Sequence, residues 1–386
     1  MKIILLVAAF LATTLPSQAQ HKLDVTKQMK FAIAQYELML QAHPETTAFP
    51  QSTKQNGEPD NRTSDLWCSG FFGGSLWYIY EYTKDTKWKE AAHKWTMAVE
   101  KEKYNTTTHD LGFMLYCPFG NGYRLTKNKR YREIMLTGAA SLATRFNPRI
   151  GLIKSWEEFK GYKYPVIIDN MMNLEFLLWA AKISRNKKFY DISIVHADNT
   201  LQNHFRKDYS SYHVICYDSV GKVLAKKTNQ GAADESAWAR GQAWALYGYT
   251  MMYRETKDTR YLNQAIKIAG FIASHPNLPP DKVPYWDFNA PNIPHEERDA
   301  SAAAIIASAL LELYSYTKEK WHFQLAEEIL VSLSGSSYKA NLGENNYFLL
   351  EHSVGSKPYN SEIDTPLIYA DYYYLEALLR YKKLKL

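Results

Sequence analysis

Two kinds of helical segment alternate along this 386-residue chain. Segments of the first kind are apolar nearly all round, as in Ala302-Ala303-Ala304-Ile305-Ile306-Ala307, which is the pattern of a helix buried on every side. They run from Trp67 to Tyr82, Asp110 to Leu125, Asp169 to Ile183, Asp234 to Glu255, Asp299 to Tyr316 and Thr365 to Tyr381. Segments of the second kind carry one apolar stripe. Their first member, Asp24 to Ala42, has Val25, Met29, Ile33, Tyr36 and Leu40 at helical spacing, and others begin near Trp88, Arg130, Lys188, Arg260 and Trp321.

The two kinds are joined by one recurring turn. It reads Thr83-Lys84-Asp85-Thr86-Lys87-Trp88, Thr126-Lys127-Asn128-Lys129-Arg130-Tyr131, Ser184-Arg185-Asn186-Lys187-Lys188-Phe189 and Thr256-Lys257-Asp258-Thr259-Arg260-Tyr261. A shorter copy is Thr317-Lys318-Glu319-Lys320-Trp321. Each has a cap-forming residue, cations suited to the preceding helix C-terminus, and an aromatic to pack the next helix. Such self-similarity marks a repeat architecture. The opposite connections are long: 43–66, 101–109, 147–168, 205–233, 275–298 and 335–364. Long loops in a compact domain usually carry function, and all six lead into the apolar helices, so they share one face. The pattern predicts an all-α fold, an (α/α)6 barrel of twelve helices in one domain over residues 20–386. Within the fourth loop, His213 to Asp218 alternates like a strand, and Gly221 can turn it into a hairpin.

The apolar helices also start alike. Asp65, Asp110, Asp169, Asp234 with Glu235, Asp299 and Asp364 stand at or just before their N-termini. Singly, each reads as a cap, stabilised there by ~0.3–1 kcal/mol. Together they put carboxylates on the rim of one cavity, with polar or aromatic residues around some of them. His109 adjoins Asp110, Asn170 and Asn173 flank Asp169, and Arg240 and Trp244 follow Asp234. Two such carboxylates facing each other make an acid/base pair, and Asp110 with Asp169 is the pair expected, since they begin neighbouring helices. A helix N-terminus lowers a carboxyl pKa and a second carboxylate raises it, so Asp110 is expected to lift Asp169.

Composition narrows the partners. The balance of 46 basic to 40 acidic residues gives +6, too mild and too scattered for a nucleic-acid surface. The 29 Tyr and 10 Trp exceed what a core needs and suit a groove that stacks sugar rings. Lys2, the apolar run Ile3 to Leu11 and Ser17-Gln18-Ala19 resemble a secretory signal over residues 1–19, too short to span a membrane in the mature chain. The expected location is therefore exported and periplasmic. Cys68, Cys117 and Cys216 lack metal-like spacing and read mainly as buried hydrophobes, with one pair left able to bridge. The eleven His are dispersed, and no His-Glu-x-x-His, Gly-x-Ser-x-Gly or phosphate-binding Gly loop occurs. The run Gly70-Phe71-Phe72-Gly73-Gly74 reads as close helix packing.

Several blocks resemble the unsaturated glucuronyl hydrolases of glycoside hydrolase family 88. They are Asp169 to Leu174, Ala233 to Trp244 (Ala-Asp-Glu-Ser-Ala-Trp-Ala-Arg-Gly-Gln-Ala-Trp), Trp67 to Trp77, and His109 to Phe113. The resemblance spans the mature chain, and the block around Arg240 is its most specific part. It implies an (α/α)6 barrel without cofactor or metal, acting on the oligosaccharides, typically disaccharides, left by polysaccharide lyases. Asp169 would protonate C4 of the terminal 4,5-unsaturated uronic acid and activate the water that adds at C5. Asp110 would modulate it. His109, Trp67, Trp156, Asn170, His213, Gln230, Arg240 and Trp244 match or adjoin positions lining the sugar site, with Arg240 on the uronate carboxylate. Ser353, Ser356 and Lys357 resemble a sulfate-binding loop with altered spacing. Asn229 stands where many members have His. The sister unsaturated rhamnogalacturonyl hydrolases share barrel and chemistry, but the 234–244 block favours the glucuronyl family. A silent sugar-binding protein would not need both Asp110 and Asp169.

Overall fold

Twelve helices alternate between an inner and an outer ring in this computed structural model, which describes residues 23–385; the expected export segment lies outside them. The inner ring holds α2 (Gly70–Thr83), α4, α6 (Leu174–Ser184), α8 (Ala239–Thr256), α10 (Ala300–Thr317) and α12 (Ile368–Lys385). The fourth helix, α4, starts as a π-helix over Gly112–Gly120 and continues as an α-helix over Asn121–Thr126. Pro118 inside it has no N–H to donate, which suits the wider turn. The outer ring holds α1 (Val25–Ala42), α3 (Thr86–Ala98), α5 (Lys129–Ala143), α7 (Lys187–Asn203), α9 (Thr259–Ser274) and α11 (Lys320–Leu333). Consecutive inner helices pack in order and α12 returns against α2, so the ring closes into the expected (α/α)6 barrel. Its inner helices are buried all round: in α8 every residue from Ala239 to Met252 is buried. Gly70 and Gly74 serve close packing, since a methyl group on either would collide with the Phe113 carbonyl oxygen or the Tyr372 ring.

The recurring turn has one geometry. Lys84, Lys127, Arg185, Lys257 and Lys318 each end an inner helix in the left-handed region, with φ between 57° and 62°. A non-glycine residue there costs roughly 1 kcal/mol, and local bonds offset it. The preceding hydroxyl donates to the carbonyl four residues back, as in Thr83 to Ile79 at 2.9 Å and Thr256 to Met252 at 2.7 Å. The same oxygen accepts the N–H two residues on. Asp85, Asn128, Asn186 and Asp258 then cap the outer helices, whereas Glu319 makes no side-chain cap. Four of the lysines also lie over the tyrosine one turn back, for example Lys257 over Tyr253 at 5.3 Å.

The long loops carry all the strands: β1 (Phe49–Thr53) with β2 (Pro59–Arg62), β3 (Phe146–Asn147) with β4 (Leu152–Ile153), a sheet of β5 (Tyr164–Ile167), β6 (Val214–Tyr217) and β7 (Val223–Lys227), and β8 (Ser353–Ser356) with β9 (Ser361–Thr365). The expected hairpin is β6–β7, and β5 joins it antiparallel, unforeseen because its partner is 50 residues away. The three cysteines are free and buried.

The acidic starts divide. Asp299 caps α10, accepting from the N–H groups of Ser301 at 3.0 Å and Ala302 at 3.3 Å. Asp65, Asp234 and Asp364 do not reach their helices and pair locally, with Thr63, Lys227 and His352. The chain before those helices is committed elsewhere: β9 holds Ser361–Thr365, and Trp238 bridges to Asp287. Asp110 and Asp169 remain.

Candidate active site

Strand pairing places Asp169. Ile167 opposes Val214, and the next N–H, that of Ile168, donates to the His213 carbonyl at 3.0 Å. One residue further, Asp169 enters a 3₁₀ turn (Ile168–Asn173) ahead of α6, with its Oδ2 at 3.8 Å from His213 Nε2. Nδ1 of His213 accepts the backbone N–H groups of Asn229 and Gln230, both at 3.2 Å. That nitrogen must therefore be unprotonated, so the neutral ring carries its proton on Nε2, facing Asp169. Burial, with Arg240 adding, pushes His213 well below the usual histidine range and keeps it neutral. The ring stacks on Trp238 at 4.4 Å, and Trp156 meets its edge at 6.2 Å.

Asp110 closes the second loop. Thr108 donates to its Oδ2 at 3.0 Å, and His109 Nε2 lies 3.3 Å from its Oδ1. His109 donates Nδ1–H to the Ser155 carbonyl at 3.0 Å, which directs Nε2 at the carboxylate. Asn173 joins the two acidic turns, accepting the Gly112 N–H at 2.8 Å.

Asp169 is pushed up to about 7, by burial first; Arg240 opposes the rise, Asp110 adds to it, and its own backbone N–H and the Trp244 side chain draw it back. Asp110 is therefore not the principal lever expected from the sequence: the fold surrounds the carboxyl, and desolvation dominates. Asp169 Oδ2, His213 Nε2 and His109 Nε2 are buried and make no hydrogen bond among the described residues. Carboxyl, imidazole N–H and second carboxylate form a set able to deliver and accept a proton near neutrality.

Other expected residues fall into two groups. Trp67, partly exposed, packs on Phe113 at 5.4 Å and Tyr369 at 4.9 Å, and Trp156 is likewise partly exposed, so both offer a ring to a ligand. Trp244 is fully buried between Phe113 and Tyr373, beside Asp169 and unavailable for stacking on a sugar. Asn170, also buried, donates to the Ile153 carbonyl at 2.8 Å and to Ser155 at 3.1 Å, holding the third loop.

Arg240 is engaged within the protein. Nη1 pairs with Asp299 at 3.1 Å and also donates to the Val354 carbonyl, while Nη2 donates to that of Gly355 at 2.6 Å. Three of its five N–H groups thus hold the sixth loop and give the buried cap Asp299 its counter-charge. Gln230 Nε2 also donates to Gly355, at 2.9 Å. Lys357 is no free sulfate ligand. It bonds Glu296 at 2.7 Å, pairs with Glu297, and lies over Trp286. Ser353 and Ser356 keep buried hydroxyls without a partner among the described residues.

Three residues escaped the sequence reading. Trp238 floors His213 from inside the 233–244 block. Buried Asp287 accepts from Ala232 N–H at 2.9 Å and from Ser236 at 2.6 Å, bracing the fourth loop. Partly buried Glu362 accepts from Gln51 at 2.8 Å, and desolvation raises its carboxyl above the usual range. An acidic residue amid a polar loop gives no signal of burial, so only tertiary contacts reveal Asp287 and Glu362.

Comparison with known proteins gives this geometry its setting. The profile described as Glycosyl Hydrolase Family 88 matches residues 41–267. An unsaturated glucuronyl hydrolase of Formosa agariphila is 47% identical over 340 residues, 87% of this chain and 85% of that protein. An unsaturated chondroitin disaccharide hydrolase of Streptococcus agalactiae is 35% identical over 329 residues, 82% of this chain and 81% of that protein. A solved structure described as an unsaturated glucuronyl hydrolase specific for heparin superposes with a TM-score of 0.92 at 50% identity, covering 94% of this chain and 97% of that one. With most of its length matched at such identity and the same barrel overall, this chain belongs to glycosyl hydrolase family 88 and is a glycosidase.

Proposed function

We propose that the chain releases the terminal 4,5-unsaturated uronic acid from lyase-generated glycosaminoglycan disaccharides by hydrating the C4=C5 vinyl ether. The observation carrying this reading is Asp169, a largely buried carboxyl held near 7 with the His213 Nε2–H on one side and Asp110 adding negative charge. Protonated, Asp169 gives its proton to C4, and the developing positive charge is shared between C5 and the ring oxygen. The resulting carboxylate then takes a proton from the water that adds at C5. The hemiketal opens and expels the neighbouring sugar, so no covalent glycosyl-enzyme is needed. His213 donates toward the carboxylate as it forms, while Trp67 and Trp156 offer faces to the two rings. A positioned acid/base of this kind contributes on the order of 10²–10⁴-fold.

The heparin-type disaccharide is the preferred substrate in this reading. The heparin-specific structure is 50% identical, whereas the chondroitin disaccharide hydrolases are 30–35% identical. The pairing of Lys357 with Glu296 and Glu297 speaks against a sulfate held by that lysine. The first nineteen residues support export to the periplasm, tested by sequencing the mature N-terminus, expected at Gln20.

The substrate's conjugated double bond absorbs at the ultraviolet edge and is lost on hydration. A panel of unsaturated heparin, chondroitin, hyaluronan and rhamnogalacturonan disaccharides, with and without sulfate, tests the proposal. Loss of absorbance is expected first on the heparin type. A signal unchanged on every member, or an Asp169→Asn variant of full activity, would sink the reading.

A further inference from the structure

The acidic site uses one end of the ring. At the other end, beneath the short turns, an open-mouthed cavity of about 780 Å³ runs into the barrel axis. Each inner helix contributes an aromatic ring to its wall: Tyr78, Tyr116, Trp179, Tyr247, Tyr316 and Tyr373. Neither Asp110, Asp169 nor His213 touches it. Phe113, which does, packs on Trp67 at 5.4 Å and Trp244 at 5.2 Å, placing a layer of rings between the two ends.

Deep in the wall Glu175, Glu312 and Glu376 face Arg254 and Arg380; nearer the mouth Arg124 pairs with Glu81, and Glu255 lies behind Arg254, outside the lining. Arg254 meets Glu175 at 2.5 Å, Glu255 at 2.9 Å and Glu312 at 2.9 Å. Arg380 meets Glu312 at 2.9 Å and Glu376 at 3.3 Å. Four carboxylates therefore share two cations. Glu376 is further satisfied by the hydroxyls of Tyr78, Tyr247 and Ser308, but Glu175 has Arg254 alone among the described residues. Independently, Tyr373 is 2% exposed, and its hydroxyl, among Cys117, Tyr247 and Glu376, makes no hydrogen bond among the described residues. A surplus of negative charge in a partly buried wall is costly, and ring faces attract cations.

We propose that this cavity is a second ligand site, taking a small organic ammonium ion of amino-sugar size with its ammonium on Glu175. The volume suits such a molecule. Trp179 and Tyr116 supply faces for its body, and the Tyr373 hydroxyl supplies the free polar contact. Lys127, Lys182 and Lys383 at the mouth are exposed, so salt screens them over about 8–10 Å, while the partly buried floor is screened less. Desolvation raises the Glu175 carboxyl to about 7; Arg254 opposes the rise, and Glu255, Glu312 and Glu376 add to it. The inference is independent of the substrate reading above.

The test is calorimetry and thermal shift on the whole protein at neutral pH with D-glucosamine, using D-glucose as the uncharged control at matched chloride. Glucosamine is expected to bind and raise the melting midpoint, and glucose to do neither. Tyr373→Phe and Glu175→Gln should each weaken glucosamine on the order of five- to tenfold. Asp169→Asn and Trp156→Ala should not, which separates this site from binding at the acidic end. Indifference to glucosamine, equal response to glucose, or a response abolished by Trp156→Ala but kept in both cavity variants overturns the proposal.

Discussion

Asn173 accepts the backbone N–H of Gly112 at 2.8 Å, tying the turn that carries Asp169 to the one that carries Asp110. The two residues belong to neighbouring inner helices, so this bond sets the relation between the carboxylates without touching either. Asn173→Ala is expected to lower kcat by roughly 10–100-fold with a small change in KM, because misplacement of about 1 Å suffices for that loss. Asn173→Asp, which keeps the acceptor, should recover much of it. Equal losses in both variants would remove the positioning role.

The activity should fall on the alkaline side. A general acid must be protonated, and Asp169 gives up its proton at about 7, so kcat/KM declines as pH rises through that value. Asp110 adds to the upward shift; in an Asp110→Asn variant the alkaline limb should therefore move to lower pH as well as the rate falling. A pH–rate profile of each protein measures this. An unchanged limb in Asp110→Asn means that the two carboxyls do not interact.

The same carboxyl burdens the fold. Unfolded, it ionises near 3.8; folded, it holds its proton to about 7. The folded state then binds more protons, so this group's contribution to stability is lost as pH rises from about 4 to about 7 and is constant above. Asp169→Asn should thus be neutral near pH 4 and stabilising by roughly 2–4 kcal/mol above pH 7. Denaturant melts at the two pH values read it directly.

Arg240 should prove a stability residue before a binding one. Arg240→Met leaves Asp299 buried without its counter-charge and frees the Val354 and Gly355 carbonyls, costing about 3–5 kcal/mol. Arg240→Met with Asp299→Asn should recover part of that loss. A single variant of wild-type stability but poor KM would return Arg240 to the uronate.

The helical repeat was legible because it is written locally. Thr83, Lys84 and Asp85, and their four counterparts, use bonds spanning four residues at most, so the same short string builds the same turn anywhere. Burial on all faces likewise shows as uninterrupted apolar sequence, as in α10. From twelve such helices and six long loops, the barrel and the shared face of its acidic ends followed. Which acids matter did not. Asp65, Asp234 and Asp364 look like Asp110 and Asp169 in sequence, and only the strands and bridges ahead of the helices draw them away. The tautomer of His213 depends on Asn229 and Gln230, the commitment of Arg240 on a loop more than a hundred residues distant, and the near-neutral Asp169 on how much protein surrounds it. Periodicity and capping are properties of neighbours in the chain and survive in the sequence. Desolvation and counter-charge are properties of neighbours in space, and the folded barrel alone supplies them.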